Sequence, residues 1–143
     1  MSDLSDDGLV TVASKFTVKE TIDRLAATVA AKNMTVFARI DHAANAREVG
    51  LDLRPTELLI FGSAKAGTPL MQARQAIGLD LPLKALAWQD AAGKVHLTIN
   101  DPTWLARRHA VGGDTEATVR AMRSGLGALI AAAAGADSVF PAG

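Results

Sequence analysis

The side chains of Arg39, Asp41, His42, Lys65, Thr68 and Lys84 have the types and placement to hold an anion or move a proton. Arg39 and Asp41 sit in the stretch Thr35–Asp41, which reads as a strand, and His42 follows it. Alternation along a strand puts Arg39 and Asp41 on one face and turns His42 to the other face or into the next loop. Such a set can grip a carboxylate or phosphate and offer an imidazole for proton transfer. The plainer account is a structural ion pair followed by an Asp–His helix start. Gly62 to Thr68 follows one strand and precedes a helix, but Gly67 runs straight into Thr68, so the phosphate-loop pattern G-x-x-x-x-G-K-[ST] is not met. What remains is an amide-rich helix start with Thr68 as the expected cap and Lys65 nearby, a generic anion site, or simply a capped helix after a tight turn.

Other chemistries find less support. His42, His96 and His109 are the only histidines, and none stands three or four residues from another, so no metal site is expected. No serine lies in a G-x-S-x-G elbow, and Trp88 and Trp104 are too few for a base-stacking platform. No cofactor is expected.

The chain has 143 residues with 15 basic and 15 acidic side chains, a formal net charge of zero and no cysteine. One domain is the natural count at this length. The balanced charge gives no electrostatic footprint for nucleic acid or an anionic membrane. Zero cysteines exclude disulfide scaffolds, thiol catalysis and cysteine-ligated metals. The acidic start (Asp3, Asp6, Asp7) has no apolar signal-peptide core. The longest apolar stretch, Leu126–Ala136, falls well short of the roughly 20 residues a membrane span needs. A soluble, cytoplasmic chain is expected, with flexible tails at 1–8 and 137–143 flanking one domain over 9–136.

The elements that must position these residues follow from periodicity. Leu9–Ser14 reads as a strand, and Thr17 with Glu20 forms a capping box ahead of Val18, Ile22, Leu25 and Val29 at helical spacing. Glu57–Phe61 is apolar on both faces, which predicts a central strand. Thr68-Pro69 predicts a helix start and Gly78 its left-handed end. Leu83–Gln89 and Lys94–Ile99 form a hairpin, Asp101-Pro102 caps a short helix, and a last helix covers about Thr115–Ala134. Gly125 and Gly127 in that helix suggest close backbone packing. The order β-α-β-β-α-β-β-α-α gives an α+β fold: a single, mostly antiparallel sheet of about five strands with helices on one face.

The hairpin carries a further expectation. A four-residue loop, Asp90 to Gly93, pairs Gln89 with Lys94 and puts Lys84, Leu86 and Trp88 on the core face with Val95, Leu97 and Ile99. Leu83, Ala85, Ala87 and His96 then make a second face too apolar for plain exposure, which points to a homodimer or, alternatively, to the helix of Trp104 or the last helix folding over that face within one chain. Lys84, directed coreward, needs a carboxylate, and Asp80 is the nearest in sequence.

From Val36 to Val111 the chain resembles the domain of unknown function 302 family. The resemblance rests on V-F-A-R-I-D-H-A-A (Val36–Ala44), L-R-P-T-E-L-L-I-F-G (Leu53–Gly62), G-T-P-L-M (Gly67–Met71), L-D-L-P-L-K-A-L (Leu79–Leu86) and N-D-P-x-W-L-A-R-R-H (Asn100–His109). It implies a compact α+β fold that packs as a dimer, and no defining activity. Gly78 and Thr98 depart from the family pattern and predict a roomier surrounding. The expected function is a homodimeric module binding a small anionic or acyl ligand near Arg39, Asp41, His42, Lys65, Thr68 and Lys84, without nucleic-acid or membrane partners. The alternatives are an acid–base enzyme built on His42 and a protein-interaction module.

Overall fold

The period-two segments close into one antiparallel sheet. The computed structural model describes residues 7–140. Its strands β1 (Leu9–Ala13), β2 (Thr35–Asp41), β3 (Thr56–Gly62), β4 (Leu83–Gln89) and β5 (Val95–Asn100) lie in the order β1-β5-β4-β3-β2, and every neighbouring pair is antiparallel. The doubly apolar β3 is an inner strand, as its composition predicts. The helices are α1 (Val18–Ala31), α2 (His42–Glu48), α3 (Ala64–Ala73), α4 (Pro102–Arg108) and α5 (Glu116–Ala134), with 3-10 turns at Gln75–Leu79 and Gly113–Thr115. The fold is α+β with one open sheet, as expected.

Helix α1 starts with the predicted capping box: the Glu20 amide donates to Thr17 Oγ1 and the Thr17 amide to Glu20 Oε1. Its stripe of Val18, Ile22, Leu25 and Val29 is buried against the sheet together with Leu126, Leu129, Ile130, Ala133 and Ala134 of α5. α5 ends at Gly135 in the left-handed region (φ 71°). The α5 carbonyls of Ala132 and Ala133 accept from Arg24 of α1 at 2.8 and 3.2 Å, so one helix caps the end of the other.

The hairpin register differs from the expected one by a single residue. Gln89 pairs with Val95, Ala87 with Leu97 and Ala85 with Ile99. The cause is the Asp90 side chain, whose Oδ1 accepts from the amides of both Ala92 and Lys94, while the Asp90 amide donates to the Lys94 carbonyl. With Gly93 at φ 87° this makes a three-residue loop rather than one of four. A one-residue shift turns every side chain over. Leu83, Ala85 and Ala87 therefore face the core, the alanines fully buried, and Lys84, Leu86 and Trp88 face outward with His96 and Thr98. Alanine suits the inner face because α1 packs directly over it, so the face of Leu83, Ala85 and Ala87 that was expected to need a second copy is covered by helices of the same chain.

Three other expectations change. α3 begins at Ala64, with Ser63 as its N-cap, so Thr68 and Pro69 lie inside the helix and do not start it. It ends at Ala73, and Gly78 lies in the following 3-10 turn, where an added Cβ would come 3.1 Å from Met71 Sδ. Asp80 does not serve Lys84; its carboxylate takes Arg108 at 2.9 Å and His109 at 2.5 Å. Of the expected tails 1–8 and 137–143, residues 1–6 and 141–143 lie outside the described residues. Of the described part, Gly8 is buried against Trp104, whose ring leaves no room for a Cβ, and Val139 and Phe140 pack on the core.

Candidate functional site: an apolar cleft between two cores

Two separate hydrophobic clusters leave a space between them. The larger joins the inner sheet face to α1 and α5. The smaller gathers Leu70 of α3, Ile77, Ala106 of α4 and Val119 of α5, with Met71, Leu81 and Met122 at its edge. α3 is thus anchored through its far side, and it faces α5 with small residues. Ala64, Ala66 and Gly67 of α3 stand opposite Ala121, Gly125 and Ala128 of α5. Side chains this short cannot meet, and a cleft of about 710 Å³ remains. Gly125 opens onto it with no atom within 4 Å of where a Cβ would be, so the expected tight packing is absent there. At Gly127 the expectation holds, since a Cβ would come 3.0 Å from the Phe140 ring.

The cleft wall is apolar almost throughout: Met34, Phe37, Met71, Leu81, Leu83, Met122, Leu126 and Leu129 supply most of it. Phe37 reaches it from an irregularity in the β2–β3 pairing, between Val36 and Ala38, and is 52% exposed. Such a bulge re-aims a side chain that regular alternation would send elsewhere. Lys32, the C-cap of α1, is the one charged residue in the lining. Thr35 pairs with Gly62, so the Lys32–Met34 connection lies beside Ser63 at the start of α3. The polar lining is completed by the hydroxyls of Ser63, Thr68 and Thr118, none of which forms a hydrogen bond among the described residues. The volume lies within the range of about 300–1,000 Å³ common among small-molecule clefts in general.

The six residues singled out from the sequence do not meet in one place. Arg39, exposed on the edge strand β2, is held by Asp23 at 2.7 Å and Glu57 at 2.9 Å. The hydrogen bonds from Arg39 and then Lys19 keep the Asp23 carboxyl below its ordinary range. Asp41 caps α2 by accepting from the Ala44 amide, and His42 is the exposed first residue of that helix. Lys65 is exposed on the first turn of α3, outside the cleft lining. Thr68, displaced from capping, is the one of the six that lines the cleft. Lys84 stands half-buried on the outer sheet face.

Two clusters were not foreseen. Asp80, Arg108 and His109 tie the end of α4 to the 3-10 turn after α3. On the outer face His96 stacks on Trp88 with ring centroids 4.5 Å apart and bonds Asp90 at 2.8 Å. Trp88 Nε1 donates to Thr98, which shares a hydrogen bond with Thr11. The His96 contact, followed by the Lys94 amide, holds the Asp90 carboxyl below its ordinary range. Thr98 therefore serves this network, and Gly78 borders the cleft only through Met71. Among the described residues no group of three or more His, Asp or Glu side chains is placed to hold a metal, and no helix is long and apolar enough to cross a membrane.

The cleft residues carried a faint signal in the sequence. Ala121, Gly125 and Ala128 on one helix, and Ala64 and Gly67 on another, mark where two helices present little bulk. The stretches Leu53–Gly62, Gly67–Met71 and Leu79–Leu86 each put residues into the wall.

Comparison with known proteins agrees with this architecture. The "Fluoride-specific ion channel FluC 1" of Brucella suis biovar 1 is 53% identical over 135 residues, covering 94% of this chain and 53% of that protein. The protein of the same name from Brucella abortus biovar 1 is also 53% identical over 135 residues, covering 50% of its own length. The chain thus spans about half the length of the curated relatives it matches. The crystal structure of an uncharacterized conserved DUF302 protein from Bacillus stearothermophilus superposes with a TM-score of 0.69 at 19% identity, covering 90% of this chain and 96% of that one, and shares its fold. Residues 10–129 match the family model described as "Domain of unknown function DUF302", and the chain belongs to that family.

Proposed function

We propose that this chain is a binding module that holds a small, largely apolar molecule in the cleft between α3 and α5. The observation that carries the reading is the cleft itself: about 710 Å³ walled by Met, Leu and Phe side chains, with one lysine and three unspent hydroxyls. Burying apolar ligand surface there supplies affinity, and the few polar groups supply orientation. The acid–base reading gains nothing from the geometry, because His42 is exposed and Asp41 is committed to its cap. The curated relatives are about twice as long as the match, and their name describes the whole protein; the reading here concerns the half this chain shares. Native mass spectrometry of the freshly purified protein tests it. A small-molecule mass retained by the native protein and lost on denaturation supports the reading. No added mass, together with no binding of an environment-sensitive hydrophobic dye, overturns it.

A homodimer belongs to the same proposal, with the outer sheet face as its interface. Ile40, Leu58, Ile60, Leu86 and Trp88 share that face and are each only partly buried within one chain. A two-fold contact between copies would cover them with an identical apolar patch. Leu86→Arg puts a charge at its centre without touching the inner core. Sedimentation should then show a dimer converted to a monomer; a wild-type monomer overturns the assembly.

A further inference from the structure

We propose that the molecule taken by the cleft is an unbranched aliphatic carboxylate, its head group at Lys32 and Ser63 and its chain lying between α3 and α5. The inference rests on the binding reading above and deepens it. The polar groups of the cleft are unevenly placed. Lys32 caps α1, two residues before Met34, and the pairing of Thr35 with Gly62 sets this connection against Ser63 at the start of α3. Lys32 makes no ion pair among the described residues, whereas the other half of this end is a helix N-cap whose hydroxyl makes no cap hydrogen bond. Beyond that end the wall passes through Phe37, Leu83, Met71, Met122 and Leu126, interrupted only by the uncharged hydroxyls of Thr68 on α3 and Thr118 on α5.

A single cation at one end selects a single anion, and the apolar remainder selects a hydrocarbon body. The alanines and glycines that α3 and α5 contribute put little side-chain bulk between the two helices, which suits a narrow chain. The two methionines, Met71 and Met122, have unbranched and adaptable side chains that can follow chains of differing length. A carboxylate also gains from the N-terminal end of α3, where the helix dipole is positive.

The test is calorimetric titration of the delipidated protein with straight-chain carboxylates from hexanoate to myristate and with the matching alcohols, each below its micelle concentration. Each added methylene buried in the cleft should tighten binding about fourfold until the slot is full. At equal length the carboxylate should bind about two- to fivefold more tightly than the alcohol, the worth of a partly exposed ion pair. Lys32→Glu should abolish or reverse that preference, weakening carboxylate binding far more than alcohol binding. Gly125→Leu, which fills the slot from α5 at a position with open space, should remove binding of both. If alcohols bind as tightly as carboxylates and Lys32→Glu changes neither, the head-group assignment is overturned while the cleft remains a binding site. If no chain of either kind binds while a hydrophobic dye does, the aliphatic assignment fails. If dye, acids and alcohols all fail to bind, the binding reading falls with it.

Discussion

Two glycines, two positions apart on the same helix, should respond in opposite ways to the same substitution. Gly125 and Gly127 both lie inside α5, so replacing either by alanine removes the same propensity penalty, about 1 kcal/mol. What differs is the surroundings. A Cβ at Gly125 meets nothing within 4 Å, because the residue borders the cleft. At Gly127 it would come 3.0 and 3.2 Å from two ring carbons of Phe140. That ring is pinned from another side by the Arg123 guanidinium, 4.0 Å from its centroid. Gly125→Ala should therefore stabilise by nearly the full propensity gain, raising the melting temperature by about 3 °C for a domain of this size. Gly127→Ala should gain nothing net or lose stability, since overpacking costs about 1–3 kcal/mol and offsets the helical gain. Thermal and urea denaturation of the two variants beside the wild type measures both. Equal shifts for the two, or a lower melting temperature for Gly125→Ala, would refute the placement of the cleft against that face of α5.

Other outcomes follow from the same structure. Leu97→Ala should cost about 2–5 kcal/mol as a truncation in the fully buried inner face, whereas a value under 1 would contradict the burial of that face. Asp101 is fully buried, caps α4 and receives Arg123 at 3.2 Å on both oxygens; Asp101→Ala should destabilise by about 3 kcal/mol in chemical denaturation, and a neutral result would remove its structural role. Asp23 and Asp90 have folded-state values below their usual 3.8, so their contributions are present above that pH and are lost as pH falls through the depressed values. Melting temperature should therefore drop below pH 3.8, less steeply in Asp90→Asn; an identical acid limb in that variant would contradict the pairing with His96.

Local chemistry dictated much of the fold before any long-range contact was known. The Thr17–Glu20 box, the α1 stripe and the doubly apolar β3 act within a few residues of themselves, so composition and spacing suffice to read them. The hairpin register was different. It depended on Asp90 folding its own carboxylate back onto two amides, which shortened the loop by one residue and turned β4 over, sending Trp88 out and Ala85 and Ala87 in. Bulk misled there, because an inner face roofed by a helix favours small side chains. The candidate site divided in the same way. Arg39, Asp41, His42, Lys65, Thr68 and Lys84 were legible as reactive types, yet their partners were set by elements far apart in sequence, and five of the six lie away from the cleft. The cleft exists only because α3 is anchored through Leu70 and Ile77 to one core while α5 belongs to both, leaving alanines and glycines to face each other. Residue type records which groups can do chemistry, and the distance between packed elements decides which of them share a space.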